Sequence, residues 1–178
     1  IDQTGDLAVL LESVPYFKDG QNLRGMGQDA AWTQDVLQKT DSGAVYSGTI
    51  LEHILLETLC AVHETGAHGH IRLRGADWND ALDLAAEYGE SVAFTCAYAG
   101  NLEELAGLLR VLAERGHREV ELLEELELLL EKENRLPDFL HLCAHSVRGS
   151  KRRFDTLALA DTLQAMAERL RTHIRKTE

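Results

Sequence analysis

Apolar residues recur every three or four positions over most of the chain, which is the spacing of one face of an α-helix. The clearest case is 49–65, whose stripe consists of Leu51, Ile54, Leu55, Leu59 and Val62. We expect Gly66 to end this helix as a left-handed cap. Comparable patterns predict one helix or a closely broken pair of helices over 90–115, ending at Gly116, and a last helix over about 154–175.

Other segments predict shorter elements. Thr4 can cap a first helix that stops at Pro15, an acidic, leucine-rich helix is expected over 121–133, and a short one over 139–145. Glycines and polar residues dominate 16–48, where one short helix at about 29–37 interrupts a long loop. Residues 149–152 indicate a turn, and the best strand candidate is 70–73. The chain is therefore expected to be all-α, an antiparallel helical array whose site lies on loops at one end.

Length and charge narrow the possible functions. The 178 residues suit one globular unit, 1–178, and the first residue, Ile1, is not Met, which indicates a piece of a longer protein. No run of about eighteen apolar residues predicts a membrane span. A net charge of −12 argues against nucleic acid and favours a neutral ligand. Three widely separated cysteines favour a reducing compartment, and hence the cytoplasm, and are expected to be buried.

Candidate chemistry is concentrated between two predicted helices, in a loop that contains Asp77, Trp78, Asn79 and Asp80. An indole ring packs on the apolar face of a sugar, while carboxylates and amides bind its hydroxyl groups. Burial beside Trp78 and repulsion from Asp77 would both raise the pKa of Asp80, so that it could protonate a glycosidic oxygen. The residue types alone equally allow a helix cap at Asp77, a core position for Trp78 and Asx turns at Asn79 and Asp80.

The run 75–82, Gly-Ala-Asp-Trp-Asn-Asp-Ala-Leu, resembles the Gly-Asp-Trp-Asn-Asp-Gly loop of the cellobiose phosphorylases, glycoside hydrolase family 94. Further stretches resemble that family in the same order over about the first 110 residues: Thr4-Gly5-Asp6, 14–17, Glu52-His53, His68-Gly69 and 89–92. The resemblance implies part of an (α/α)6 barrel, the catalytic domain of a longer enzyme. It also implies that Asp80 is the general acid, that Trp78 lines the sugar site, and that Asp77 with Asn79 shapes it.

The reaction implied by the resemblance is inverting phosphorolysis of a β-glucoside to an α-sugar 1-phosphate. Inorganic phosphate is the cosubstrate and attacks the anomeric carbon, so that one carboxylic acid suffices and no metal or other cofactor is needed. The family's phosphate-binding His and Thr would lie beyond residue 178, so this piece alone is expected to be inactive. A homodimeric parent enzyme is a further expectation.

Departures from the cellobiose enzymes bear on the acceptor. His70-Ile71-Arg72 follows the His-Gly pair where those enzymes have Leu-Pro-Leu, Ala76 replaces a glycine, and Ala81-Leu82 replaces Gly-Met. The loop and the segment 89–95 are more similar to the members that act on β-1,2-linked oligoglucans.

Three other functions compete with this interpretation. His141 and His145 are spaced for one helical turn and could bind zinc, with His68 and His70 as a second pair, although no H-E-x-x-H pattern occurs. These imidazoles could equally be partly buried and hydrogen-bonded, or solvated. The leucines of 121–133 could bind a partner protein, although core packing is the commoner role. An inverting hydrolase could use Asp77 and Asp80, but residues three apart seldom face each other across a sugar. The basic residues of 148–153 could hold phosphate or be solvated.

Overall fold

The computed structural model describes residues 5–17, 21–22, 27–28, 36–74, 85 and 87–177. Within these ranges the chain is mainly helical, with short strands at the connections. The helices are α1 (Ile50–His63), α2 (Val92–Glu114), α3 (Glu127–Leu130), α4 (Leu136–Leu142) and α5 (Thr156–Thr177). Helical character is therefore confirmed for the described residues, but strands add to it, so all-α was too narrow a description.

Four two-stranded antiparallel sheets connect the helices in the described ranges. β1 (Ser13–Pro15) pairs with β4 (Ser47–Thr49), and β2 (Gln21–Asn22) pairs with β3 (Gly27–Gln28). β5 (Ile71–Arg72) pairs with β6 (Glu90–Ser91), and β7 (Glu119–Leu123) pairs with β8 (Lys151–Asp155). The strand predicted at 70–73 is confirmed as β5.

Helices α2 and α5 form the main packing unit and run antiparallel. Arg110 of α2 pairs with Asp161 of α5, and Glu103 of α2 pairs with Arg171 of α5. Residue numbers therefore increase along α2 in the direction in which they decrease along α5. Their facing side chains are fully buried and join the leucines of α1 in one core. That core includes Leu51, Leu55, Leu59, Leu102, Leu105, Leu109, Leu163 and Met166. Burial of such side chains stabilises the fold by about 1.5–3 kcal/mol each.

Helix α1 begins as the sequence predicts, because the Thr49 side chain accepts a hydrogen bond from the Glu52 N–H. Its predicted end was wrong. The helix stops at His63, and the φ of Gly66 is not positive, as a left-handed cap requires. A side chain at Gly66 would instead collide with the carboxyl group of Glu90, with a closest approach of 2.3 Å. A side chain at this position would therefore require the Glu90 side chain to move.

Two other predicted helices differ from the structure. Of the helix predicted before Pro15, only Ala8–Leu11 is helical, as a 3-10 turn. The chain then forms β1, because it pairs with β4. The predicted cap, Thr4, lies outside the described residues. In the second, 121–133 divides into the end of β7, a 3-10 turn at Glu124–Leu126 and the single turn α3. The alternation of exposed glutamates with buried Val120 and Leu122 is a strand pattern.

Smaller differences concern the ends of elements. Glu90 and Ser91 form β6 before α2 begins, so the helix starts two residues later than predicted, at an exposed Val92. The predicted turn at 149–152 runs directly into β8. Residues 29–35 of the helix predicted at 29–37 lie outside the described residues, while Leu37 forms a β-bridge with Phe17.

Candidate functional site

The predicted site residues, Asp77, Trp78, Asn79 and Asp80, lie outside the described residues. The structure does describe the two segments that hold this stretch of chain at its ends. We call residues 64–74 together with 87–91 the neck. The positions predicted for acid catalysis and sugar binding therefore remain predictions, and the neck is the described part of the chain on either side of them.

The neck is closed by backbone hydrogen bonds. Ile71 pairs with Ser91, and Arg72 pairs with Glu90, in the β5–β6 sheet. One residue farther along, the Leu73 N–H donates to the Gly89 carbonyl at 2.9 Å, and the Gly89 N–H donates to the Ala85 carbonyl at 2.6 Å. Residues 71–73 and 89–91 are thus paired with each other on the two sides of the predicted site residues.

Arg74 lies at the exit from the neck and has an uncommon backbone conformation. Arg74 has a φ of 50°, and no other described non-glycine residue has a positive φ. Its guanidinium forms an ion pair with Glu64 at 2.5 Å, and both side chains are mostly buried. Left-handed backbone in a non-glycine residue costs about 1–3 kcal/mol and persists where the surrounding structure imposes it. The ion pair with Glu64 is such a constraint.

Glu90 connects both sides of the neck with its carboxylate. Oε1 accepts hydrogen bonds from the His68 N–H and from the His68 ring, each at 3.0 Å, and Oε2 accepts from the His70 N–H at 2.8 Å. Burial acts to raise the pKa of Glu90, but the N–H donors of His68 and His70 outweigh it, so the pKa lies below its ordinary value. The charged form is therefore the one that holds the neck.

Helix α5 contacts the neck through His173. The His173 ring hydrogen-bonds the His68 carbonyl at 2.6 Å and lies 4.8 Å from the His70 ring, measured between centroids. Gly69 has a φ of 80°, and a side chain there would meet the His173 ring at 2.8 Å. The 68–70 turn is thus held between Glu90 and the C-terminal half of α5.

A second polar cluster surrounds Glu52, which is fully buried. Its Oε1 accepts from the hydroxyl groups of Tyr16 at 2.9 Å and Tyr46 at 2.7 Å. Its Oε2 accepts from the Leu123 N–H at 2.7 Å and from Lys151 Nζ at 3.1 Å. These four donors satisfy the buried carboxylate and connect α1 with β7, with β8, and with the residues next to β1 and β4.

The two tyrosines of this cluster stay protonated. Burial, followed by the negative charge of Glu52, raises the pKa of both Tyr16 and Tyr46 far above the ordinary value. The Tyr16 ring also stacks on His53, with 3.5 Å between centroids and 11° between planes. The cluster is therefore a set of hydrogen-bond donors around one carboxylate, and its geometry is that of a structural network.

Zinc binding at His141 and His145 required both residues on one helix. Helix α4 ends at Leu142, so His145 lies beyond it and the expected i, i+4 geometry was wrong. Within the described ranges there is no group of three or more His, Cys, Asp or Glu side chains placed to hold a metal ion.

The cysteines were expected to be buried, but Cys60, Cys96 and Cys143 are all only half-buried. Burial, with the charge of Glu125 as a smaller cause, raises the pKa of Cys143 to about 12. A thiol with this pKa is protonated at neutral pH and is a poor nucleophile.

Three basic side chains of the segment 148–153 form ion pairs, so they are not simply solvated. Lys151 pairs with Glu52, Arg152 with Glu127, and Arg153 with Glu121. The leucines of 121–133 likewise belong mostly to the interior, because Leu122, Leu123, Leu126 and Leu129 are buried. Core packing, rather than a partner surface, accounts for them.

Two concave surfaces lie side by side along α5. One, of about 490 Å³, is lined by Arg169, Thr172, His173 and Lys176 among others. The second, of about 270 Å³, is lined by His63, Thr65, Asn134 and Arg169 among others. They share Arg169, and each includes one residue of the neck or in contact with it, Thr65 or His173. These surfaces offer polar and cationic groups beside the neck.

The stretches 89–92 and Glu52-His53 stand out in the sequence only by their resemblance to a family, which does not predict the hydrogen bonds that they form. The signals were indirect. Glu90 comes directly before Ser91, which caps α2, and no local pattern indicates that its carboxylate reaches back to residues 68–70.

Among the described residues, no helix is both long and apolar enough to cross a bilayer.

Comparison with known proteins gives one local similarity. No family model matches the chain. The chain is 33% identical over 107 residues, 60% of its length, to the cyclic beta-(1,2)-glucan synthase NdvB of Rhizobium meliloti (strain 1021). The matched segment covers only 3% of that protein.

Proposed function

We infer that this chain belongs to a carbohydrate-related enzyme that transfers glycosyl groups. The support is its similarity to a protein named as a synthase of cyclic β-(1,2)-glucan, together with a sequence run suited to sugar binding. The enzyme transfers glycosyl groups whichever nucleophile accepts them.

More narrowly, we propose that the enzyme is a phosphorylase of β-linked gluco-oligosaccharides, with β-1,2 linkages the favoured substrate. Asp80 donates a proton to the glycosidic oxygen as the bond to the anomeric carbon breaks. Inorganic phosphate attacks that carbon from the opposite face, which inverts its configuration and yields α-glucose 1-phosphate. Trp78 packs against the sugar ring, while Asp77 and Asn79 bind its hydroxyl groups.

The observation that carries this proposal is the run 75–82, which resembles the loop of the cellobiose phosphorylases and is flanked by the closed neck. A general acid must be held within hydrogen-bonding distance of the oxygen that it protonates, and paired strands at both ends restrict a loop far more than a free connection does. Arg72 pairs with Glu90, and the Leu73 N–H donates to the Gly89 carbonyl, so the described residues on the two sides of the run are held together.

Several further properties belong to the same proposal. The chain forms part of an (α/α)6-barrel catalytic domain in a longer, cytoplasmic and homodimeric enzyme. The phosphate-binding residues lie elsewhere in that enzyme, and no cofactor takes part. The 178-residue chain alone therefore catalyses no phosphorolysis. The antiparallel packing of α2 and α5 is consistent with the helix pairs of such a barrel.

Product analysis of the complete natural protein tests the proposal against a hydrolase. β-1,2-gluco-oligosaccharides and cellobiose are incubated with and without inorganic phosphate. A phosphorylase releases α-glucose 1-phosphate only when phosphate is present. Release of free glucose at the same rate in both conditions would identify a hydrolase and refute the proposal.

A further inference from the structure

The smaller of the two concave surfaces along α5, which we call the α5 cleft, differs in charge from the rest of the chain. It lies between the end of α1, residues 132–134 and α5, and its volume is about 270 Å³. Its polar lining residues are His63, Thr65, Lys132, Asn134 and Arg169. None of the described residues that line it has a carboxylate. The α5 cleft is thus cationic in a protein whose net charge is −12.

The two cations of the α5 cleft are not neutralised by the described part of the protein. Lys132 and Arg169 are both exposed and form no ion pair within the described ranges. Other basic side chains do pair with carboxylates, for example Arg110, Arg152 and Arg171. Like charges that line one cleft repel each other, and a bound anion offsets that repulsion. The α5 cleft therefore favours a negatively charged ligand.

Uncharged hydrogen-bond donors lie beside these cations. Asn134 donates one amide hydrogen to the His63 carbonyl at 2.7 Å, and its second amide hydrogen remains to be donated. Thr65 also lines the cleft, and its hydroxyl group forms no hydrogen bond with the described residues. The His63 ring is already bonded to the Leu129 carbonyl at 2.7 Å, so it forms a wall of the cleft. Phosphate oxygens accept from amide, hydroxyl, ammonium and guanidinium groups alike.

We propose that the α5 cleft binds a phosphate group, as inorganic phosphate or as a phosphate monoester. Arg169 pairs with two of its oxygens, Lys132 supplies a second positive charge, and Thr65 with Asn134 donates further hydrogen bonds. The cleft is slightly smaller than the roughly 300 Å³ at which pockets for drug-sized ligands begin, so it suits a small anion rather than an oligosaccharide. This inference does not rest on the proposed function.

The neighbouring surface of about 490 Å³ has room for the organic part of a monoester. It shares Arg169 with the α5 cleft and adds Thr172 and Lys176. A sugar phosphate whose phosphate group lies at Arg169 would therefore extend over groups that bind hydroxyl oxygens. Inorganic phosphate would occupy the α5 cleft alone.

Lysine acetylation of the complete natural protein, followed residue by residue with mass spectrometry, tests the proposal. Acetylation requires the neutral amine, and a bound phosphate dianion favours the charged ammonium form. At saturating inorganic phosphate and constant ionic strength, we expect the acetylation rate of Lys132 to fall at least about threefold. Lys151 pairs with Glu52 outside the cleft and is the internal reference, whose rate should not change.

Variants at two arginines of α5 give the matched comparison. Arg169→Gln removes the guanidinium from the cleft, so the phosphate concentration that protects Lys132 should rise at least roughly tenfold. Arg175→Gln removes an exposed cation of the same helix that lines neither surface, so protection should be as in the wild type. If Arg169→Gln does not fold, Arg169→Lys keeps the charge but loses the paired hydrogen bonds, and it should raise that concentration about threefold.

The same experiment with α-glucose 1-phosphate, glucose and sodium chloride separates the outcomes. Protection of Lys132 that weakens in the Arg169 variant but not in Arg175→Gln supports the proposal. Equal effective concentrations of the two phosphates identify the phosphate group alone as the ligand, whereas a lower concentration of the sugar phosphate identifies a monoester. Protection by sodium chloride or glucose, no protection by either phosphate, or no acetylation of Lys132 even without phosphate would overturn it.

Discussion

Single buried carboxylates organise this molecule at the residue scale, and each depends on specific donors. Glu52 is fully buried and would cost several kcal/mol without partners, so its two tyrosines, one lysine and one backbone N–H are needed for folding. The sequence identified Glu52 as notable but could not identify these partners, because they come from positions as far apart as 16 and 151.

Tyr46→Phe tests the Glu52 network. The variant removes a 2.7 Å hydrogen bond to a buried carboxylate, and hydrogen bonds to charged groups contribute about 1.5–3 kcal/mol. We expect the free energy of unfolding, measured by urea denaturation, to fall by that amount. Tyr88→Phe is the control, since Tyr88 is 85% exposed, and it should change little. Equal stability of the two variants would contradict the described network.

Glu90 predicts a pH dependence of stability. Its pKa is below 4.5 in the folded protein and about 4.5 in the unfolded chain, so the unfolded chain binds the proton more tightly. Its contribution is complete above about pH 4.5 and is lost as the pH falls through the lower folded pKa. Glu103, paired with Arg171, acts in the same direction.

Chemical unfolding of the wild type and of Glu90→Gln over the acidic range measures this contribution. We expect the stability of the wild type to fall more steeply with decreasing pH than that of the variant. Identical slopes would show that the Glu90 carboxylate gains nothing from its N–H donors. A steeper fall in the variant would mean that folding does not lower the pKa of Glu90.

At the scale of elements, local signals determine where the long helices begin. Thr49 before α1 and Ser91 before α2 are both N-cap residues whose side chains accept from the backbone three positions later. These caps, and the leucine stripes that follow them, can be recognised from the sequence. The strands cannot be recognised so easily, because β7 is stabilised by β8 about 30 residues away.

Ser91→Ala tests the capping of α2, which starts directly after the neck. The Ser91 hydroxyl accepts from the Phe94 N–H at 3.0 Å, and loss of such a cap costs about 1 kcal/mol. We expect a corresponding decrease in the free energy of unfolding. The exposed Ser150 provides the control variant, Ser150→Ala. A loss no greater than that of the control would rule out the cap.

The acidic segment after α2 shows why the sequence predicted the wrong element. Its leucines fit both a helical stripe and, from Glu119 to Leu122, a strict alternation of exposed and buried positions. The choice is made by β8, whose Arg153 pairs with Glu119 and Glu121 across the sheet. Long-range pairing of this kind overrides local helix propensity.

For the whole molecule, the helical core was predictable, whereas the connections that organise the site were not. The antiparallel α2–α5 pair follows from apolar spacing and a few ion pairs. The neck instead depends on contacts between residues about 20 positions apart, such as His70 with Glu90. Chemistry at 77–80 was predicted from residue types and a resemblance, and its geometry stays a prediction.

The central claim, that Asp80 is the general acid of a phosphorylase, is tested most directly by Asp80→Asn in the complete natural protein. The measurement is the phosphate-dependent release of α-glucose 1-phosphate from β-1,2-gluco-oligosaccharides, with Asp83→Asn as the matched control from the same segment. We predict that kcat falls roughly 100- to 10,000-fold in Asp80→Asn and stays near the wild-type value in Asp83→Asn. A folded Asp80→Asn variant that retains wild-type turnover would contradict the account.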